Sequence, residues 1–303
     1  MRRAGIVLCG GRSRRMGRPK ALLPWFGPTL VEHVVSQLAP CVDEVLVVTA
    51  RDLPIERLVA KLGARLVLDR EAGRGPLAAL RDGLAAARAE HAFVTATDAP
   101  FLTAAAVEAL FEQAEAGARA GHEGAVVPRA EGFLQVLSAV YPGGAWREAD
   151  ALLEAERAGS RTQRGATGDA AREASPLRLL ERIGFEAVEA FSEASLPAWT
   201  SFNTPDEYLA LARRHDPAAR ASVEWGAQRA CAVPIGRLDV VLRAAAPPGF
   251  PLHDPDALAG LVIAFGEGEG EGESERSLRL EGVRPEDLAL PVGPGERVRI
   301  SSR

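Results

Sequence analysis

The sequence predicts an α/β protein: a mostly parallel sheet with helices on both faces, followed by a small C-terminal β-rich domain. Three observations carry this. Short apolar runs alternate with stretches of helical period over the first two thirds of the chain. The first run stops at glycines, so it reads as a buried strand. After Asp216-Pro217 the texture becomes Gly- and Pro-rich, which places a domain boundary there and gives domains of 1–216 and 217–303.

Taken in order, residues 5–8 form the first strand. Residues 29–38 carry apolar side chains at Leu30, Val31, Val34, Val35 and Leu38, a helical period. Glu44–Thr49 is a β-branched strand, and 55–62 a helix with Gly63 as its stop signal. Arg65–Leu68 is the third strand. Residues 76–88 are an Ala- and Leu-rich helix with Pro76 suited to its first turn. A strand at 92–96, a helix at 104–116 and strands at 125–127 and 133–141 follow, then a helix at 146–157. Residues 159–172 are polar and read as a flexible loop, 185–190 as a late strand, and 204–215 as the last helix of this domain. Beyond it, 238–242 and 261–265 are short apolar runs, and the alternating Gly-Glu stretch 266–273 reads as a disordered hairpin loop.

A chain of 303 residues buries enough surface to fold without disulfide or metal staples. Its net charge of −5 argues against nucleic-acid binding driven by overall charge. No apolar run is long enough to span a membrane. Three scattered cysteines, Cys9, Cys41 and Cys231, make no framework, and a reduced cytoplasmic setting is expected.

Four segments carry chemistry. The first is Leu8-Cys9-Gly10-Gly11-Arg12-Ser13-Arg14-Arg15-Met16-Gly17-Arg18-Pro19-Lys20. Its glycines permit positive φ and close backbone approach. Its five cations, Arg12, Arg14, Arg15, Arg18 and Lys20, have no acid among them. In an acidic protein this reads as a polyphosphate site; a solvated basic loop is the plainer alternative. It matches neither G-x-x-x-x-G-K-[ST] nor G-x-G-x-x-G, so P-loop hydrolysis and dinucleotide redox chemistry are poorly supported. The second is Thr97-Asp98-Ala99-Pro100-Phe101-Leu102. A carboxylate at a strand's carboxyl end suits Mg²⁺, whereas a helix cap or Asx-turn is the structural alternative. The third runs from Asp69 through Gly73, Gly75, Pro76 and Leu77, and reads equally as a base pocket or as a loop and helix start. Asp69 is either a ligand group or a surface acid paired with Arg70 or Arg74. In the fourth, Thr204, Pro205 and Glu207 form a capping box, which leaves Asn203 as the functional candidate. The five histidines show no metal-ligand spacing.

The first segment resembles the signature of the molybdenum cofactor guanylyltransferase family, L-A-G-G-x-S-x-R-M-G-x-x-K in outline, with Cys9 in place of the usual Ala. The Gly10-Gly11 pair favours the guanylyl branch over cytidylyltransferases, which usually read A-A-G there. The second segment resembles the family's C-D-x-P-[FY] metal motif, with Thr97 for Cys. The third resembles its G-P-L-A-G loop, with Ala79 for the final Gly. The fourth resembles N-x-N-T-P-E-[DE], with Ser201 at a position where the family often has Asn or Ile. Over about residues 4–213 the resemblance implies a Rossmann-like nucleotidyltransferase fold and transfer of GMP from GTP to the phosphate of a molybdopterin-type cofactor, with pyrophosphate released. It implies Lys20, Arg15 and Asp98 as catalytic groups, and Mg²⁺ on Asp98. Leu8, Cys9, Gly10, Gly11, Arg12, Lys20, Asp69, Pro76, Leu77 and Asp98 would surround GTP, with Asn203 on the acceptor side. Other proteins of the same pathway are possible partners; nucleic acid and membranes are not. A cytidylyl or sugar-phosphate transferase of the same superfamily, or a non-catalytic cofactor-binding protein, are the alternatives.

Residues 288–300 resemble the closing segment of small β-grasp sulfur-carrier proteins, with Glu296 where those have Asp. The last residues, Ser301-Ser302-Arg303, are not the Gly-Gly terminus through which such carriers function. A docking or stabilising role is therefore expected, and truncation after Asp216 is expected to leave transfer largely intact.

Overall fold

The structure is a computed structural model and describes residues 1–10, 15–50, 53, 55–162, 174–189, 198–226, 228, 230–266 and 278–302. The chain divides into two compact units. One comprises Met1–Arg12 and Val31–Ser201, the other Ser13–Leu30 and Phe202–Arg303.

The first unit is an α/β layer structure. Its elements are β1 (Arg3–Leu8), α1 (Leu30–Leu38), β2 (Glu44–Thr49), α2 (Glu56–Lys61), β3 (Arg65–Leu68), α3 (Pro76–Ala86), β4 (His91–Ala96), α4 (Ala104–Arg119), β5 (Ala125–Ala130), β6 (Phe133–Leu134), β7 (Ser138–Pro142), α5 (Trp146–Thr162), α6 (Pro176–Ile183) and β8 (Phe185–Glu189). The sheet runs β3-β2-β1-β4-β7-β5-β6, with β8 also on β5. The four strands β3, β2, β1 and β4 are parallel. The side chains of β1, β2 and β4 are buried on both faces, as parallel sheets require: Ile6, Leu46 and Val94 on one face and Val7, Val47 and Phe93 on the other are fully enclosed, while the edge strand β3 is partly exposed. Gly83 of α3 allows the helix to lie close to the sheet, because a Cβ there would stand 2.6 Å from the Ile6 side chain.

Three details differ from the sequence reading. The strand expected over 133–141 is two strands. Glu131 (φ 50°) and Gly132 (φ 82°) turn β5 back into β6, both at the positive φ that two-residue hairpins demand. The chain then turns at Gln135, whose N–H donates to Pro128 O at 2.8 Å, and re-enters as β7, antiparallel between β4 and β5. The helix expected to stop at 157 continues to Thr162, into the segment read as loop; residues 163–173 lie outside those described. Finally, α6 forms where no element was assigned. Ser175 caps it by accepting from Arg178 N at 3.3 Å, Pro176 opens it, and Gly184 (φ 77°) ends it.

The second unit contains α7 (Pro205–His215), β9 (Arg220–Trp225), β10 (Cys231–Pro234), β11 (Gly236–Arg237), α8 (Leu238–Ala245), α9 (Pro255–Ala259), β12 (Leu261–Phe265), β13 (Leu278–Glu281), β14 (Pro291–Val292) and β15 (Arg297–Ser302). The main sheet runs β10-β9-β15-β12-β13. Only β9 and β15 are parallel; the other pairs are antiparallel. Leu238, Val241 and Leu242 of α8 bury against Val223, Ile263, Phe265 and Ile300. The run 238–242, read only as apolar, is thus helix, with Leu238, Val241 and Leu242 buried and Val240 exposed. Most of the Gly-Glu stretch lies outside the described residues.

The expected boundary at Asp216 falls inside this unit. Residues 15–30 and 202–216 pack against each other for identifiable reasons. The fully buried Tyr208 of α7 donates its hydroxyl to Pro24 O. Trp25 and Phe26 contact the His215 ring, with centroids 5.7 and 4.7 Å apart. Among the described residues no helix is long and apolar enough to cross a membrane.

Candidate active site

Parallel pairing brings the carboxyl ends of β3, β2, β1 and β4 to one edge of the first unit. Leu8 pairs with both Val48 and Ala96, and Thr49 with Leu68. Three of the sequence-derived segments follow directly: Cys9-Gly10 after β1, Asp69 after β3 and Thr97-Asp98 after β4. This is the edge where ligands bind in open α/β sheets.

Each residue there has a definable role. Leu8 and Cys9 are buried, and the Cys9 N–H is spent on Val48 O at 2.8 Å, so neither side chain, nor that N–H, faces a ligand. Burial pushes the Cys9 thiol well above its usual range, so it stays protonated and is no nucleophile. Gly10 is exposed, and among the described residues nothing lies within 4 Å of where a Cβ would stand; Gly11 and Arg12 lie outside the described residues. Asp98 is half-buried. The cap of α4 is Thr103, which accepts from Ala106 N at 3.2 Å, so Asp98 does not cap that helix. The loop between them is tied down where His33 of α1 meets Pro100 O at 2.8 Å.

Asp69 is 9% exposed and accepts from Glu71 N at 2.9 Å, so it is not the surface acid that its sequence neighbours allowed. Burial raises its carboxyl above the usual range, opposed by the Glu71 N–H bond. Arg70 pairs instead with Asp82, through Nε at 2.8 Å. Pro76 is exposed at the first position of α3, after Gly75 at φ 95°. Leu77 is 1% exposed and packs in the core, so only its backbone can meet a nucleotide at this helix N-terminus.

The sequence reading missed the ionic network that holds this loop. Glu71 accepts from Arg74 at 2.8 Å, from Arg81 at 3.0 Å and from Arg157 of α5. Arg81, 4% exposed in its side chain, also donates to Asp150 at 2.5 Å. Burial alone would raise the Glu71 carboxyl, but the three guanidinium groups outweigh it and bring it from 4.5 to about 2. A carboxyl depressed in the folded state contributes stability above its unfolded pKa and loses it as pH falls. Glu71→Gln is therefore expected to cost roughly 2 kcal/mol at neutral pH, with the difference from the parent fading between pH 4.5 and about 2. Urea melts of both proteins across that range check this; a difference independent of pH would contradict it.

The remaining signature residues lie in the second unit. Arg15 is exposed, and Gly17 adopts φ 66°. Lys20 opens a short 3-10 turn and donates through Nζ to Phe202 O at 2.5 Å and to Asn203 Oδ1 at 3.1 Å. The structure thus brings together Lys20 and Asn203, which are 183 residues apart. Asn203 is held by the capping box: its N–H donates to Glu207 Oε2 at 2.6 Å, and Glu207 N donates to Thr204 Oγ1 at 3.3 Å. Arg18 departs from the expected cationic cluster. Its side chain is 4% exposed and bonded to Glu296, so it does not face a phosphate.

Residues 5–170 match the family model described as a MobA-like NTP transferase domain. A probable molybdenum cofactor guanylyltransferase of Methanosarcina acetivorans is 39% identical over 165 residues, 51% of this chain and 70% of that protein. One from Natronomonas pharaonis is 34% identical over 210 residues, 68% of this chain and 94% of that protein. Among solved structures, a nucleotidyl transferase from Methanothermobacter thermautotroptrophicus superposes with a TM-score of 0.51 at 22% identity, over 71% of this chain and 97% of that one, a likeness of fold.

Proposed function

Because the chain belongs to the MobA-like NTP transferase family, we propose that it transfers the guanylyl group of GTP to the terminal phosphate of a molybdopterin-type cofactor, releasing pyrophosphate. The chain is a nucleotidyltransferase of molybdenum-cofactor biosynthesis; the choice of GTP and of acceptor is the finer part of the proposal. The single observation that carries the reading is the shared carboxyl edge of β3, β2, β1 and β4, with Gly10, Asp69 and Asp98 just beyond it.

In the proposed reaction an acceptor phosphate oxygen attacks the α-phosphorus of GTP. The bond to the bridging α–β oxygen breaks, and pyrophosphate leaves with its electron pair. The nucleophile is already an anion, so the enzyme's task is alignment and charge stabilisation rather than proton transfer. Lys20 acts as a point charge on the phosphates, with Arg15 and Arg12 assisting. The Leu8–Gly10 main chain and Asp69 hold the nucleoside, and Asn203 orients the acceptor. Asp98 offers a hard oxygen donor, and no cluster of three or more His, Cys, Asp or Glu suited to a metal occurs among the described residues. Mg²⁺ needs no such cage, since one or two carboxylates plus substrate phosphates suffice, so Asp98 fits that ion. When bound, the ion supplies neutralisation of phosphate charge. The proposal includes a cytoplasmic setting. It also extends to the C-terminal unit, read as a β-grasp-type module. The order β10-β9-β15-β12-β13, the parallel β9–β15 pair and α8 between the two hairpins support that reading.

Nucleotide-dependent thermal shift tests the proposal. GTP is expected to raise Tm more than CTP, with the shift growing in Mg²⁺; a ligand at one hundred times its Kd adds about 2.7 kcal/mol. CTP above GTP would reassign the nucleotide, and no shift with either would leave only a scaffold.

A further inference from the structure

We propose that the C-terminal unit is a working part of the phosphate loop, and that Glu296 is a positioning residue acting through Arg18 on Lys20. The inference rests on the reading of Lys20 as the phosphate-binding lysine.

Arg18 lies two residues before Lys20. Its guanidinium is held by the C-terminal segment. Nη2 donates to Glu296 Oε1 at 2.6 Å, Nη1 donates to Pro291 O at 2.9 Å, and the group lies 4.7 Å from the centroid of the Phe265 ring. Glu296, 2% exposed in its side chain, uses its other oxygen to accept from Gly293 N at 2.9 Å. The adjacent Gly17 presses on the same segment, because a Cβ there would overlap Leu290. At the far end of the loop, Tyr208 holds Pro24 by its carbonyl. Lys20 sits between these two anchors, on a turn in which Leu22 N donates to Pro19 O and Leu23 N to Lys20 O, both at 3.1 Å.

The physical consequence is directional. A buried ion pair contributes little net stability over a well-packed apolar pair, but it fixes geometry, because either charge without its partner is strongly disfavoured. The pair therefore sets where the backbone of Arg18 stands, and with it the origin of the Lys20 side chain. Misplacing a charge-stabilising group by about 1 Å can cost a factor of about 10² in rate. On this account removal of the segment after Asp216 exposes Arg18 and loosens the loop. That reverses the expectation, drawn from sequence, that the tail is dispensable for transfer.

The test uses the full chain with MgGTP and molybdopterin, following pyrophosphate release, melting temperature and amide hydrogen exchange at Leu22 and Leu23. Glu296→Gln is expected to lower kcat about tenfold to a hundredfold in protein that remains folded at the assay temperature, with faster exchange at those two amides. Glu296→Asp, which keeps the charge, is expected to recover part of that loss. In a Lys20→Ala background Glu296→Gln should add less than about twofold, since both changes act through one group. If Glu296→Gln does not fold, Glu296→Asp carries the test: unchanged kcat together with unchanged exchange overturns the proposal. So does a Glu296→Gln protein that melts earlier but turns over normally, or one that loses the same factor with and without Lys20. A Lys20→Ala enzyme with undiminished kcat removes the reading beneath it, whereas loss in Lys20→Ala with a silent Glu296→Gln removes this inference alone.

Discussion

Lys20→Ala is expected to fold and to lose turnover by about 10²–10³, the usual effect of deleting one donor aimed at developing charge. The fold should survive because the side chain opens no core cavity. It is half-buried at the start of a turn whose buried residue is Ala21. Among the described contacts, the fold loses the bond to Phe202 O, the contact with Asn203 and a cation–π approach of 5.2 Å to the Phe202 ring. A cation–π contact contributes about 0.5–1 kcal/mol at exposed sites and about 2 kcal/mol when desolvated, and Phe202 is fully buried while Lys20 is half-buried. Measuring kcat with GTP, Mg²⁺ and molybdopterin beside a melting curve separates the two effects. An unchanged kcat would take Lys20 out of the mechanism.

Asp98→Asn is expected to abolish Mg²⁺-dependent activity while barely altering GTP binding without metal. Asparagine keeps the shape of the side chain and removes the charge that would hold a hard cation. The structure sharpens this expectation, because Thr103 caps α4 and the substitution leaves that cap intact. Titration calorimetry with GTP, with and without Mg²⁺, checks it. Unfolding of the variant would instead make Asp98 a structural residue, and full activity would move the metal elsewhere.

Much of the first unit could be read from local chemistry. Glu44–Thr49 coincides with the run from which it was inferred, because a β-branched run bounded by turn residues specifies itself, and Arg65–Leu68 coincides as a short apolar run just after the Gly63 stop. The capping box of α7 was complete in the sequence, since Thr204 and Glu207 stand at the two required positions. Helix α6 carried equal signals in Ser175, Pro176 and Gly184, but its eight residues follow a long polar stretch and were given no element. The insertion of β7 between β4 and β5 was not legible, because strand neighbours are chosen by long-range pairing and not by the strand's own pattern.

The candidate site divides in the same way. The glycines, Lys20, Asp98 and Asn203 stood out as residue types at marked positions. The fate of Arg18 did not, because nothing local tells one cation of a cluster from its neighbours. Its partner is 278 residues away, in a segment that sequence assigned to a separate domain. The Glu71 network was hidden for the same reason: Arg74 and Arg81 lie nearby in the chain, but Arg157 arrives from another helix.

The central claim is guanylyl transfer to a molybdopterin-type phosphate. The most direct measurement incubates the full chain with molybdopterin, Mg²⁺ and each nucleoside triphosphate in turn, and weighs the product. The account predicts a mass increase of one GMP unit on the acceptor, with one pyrophosphate released, in the GTP reaction above all others. A CMP-sized increase, or an acceptor unchanged by every nucleotide, would contradict it.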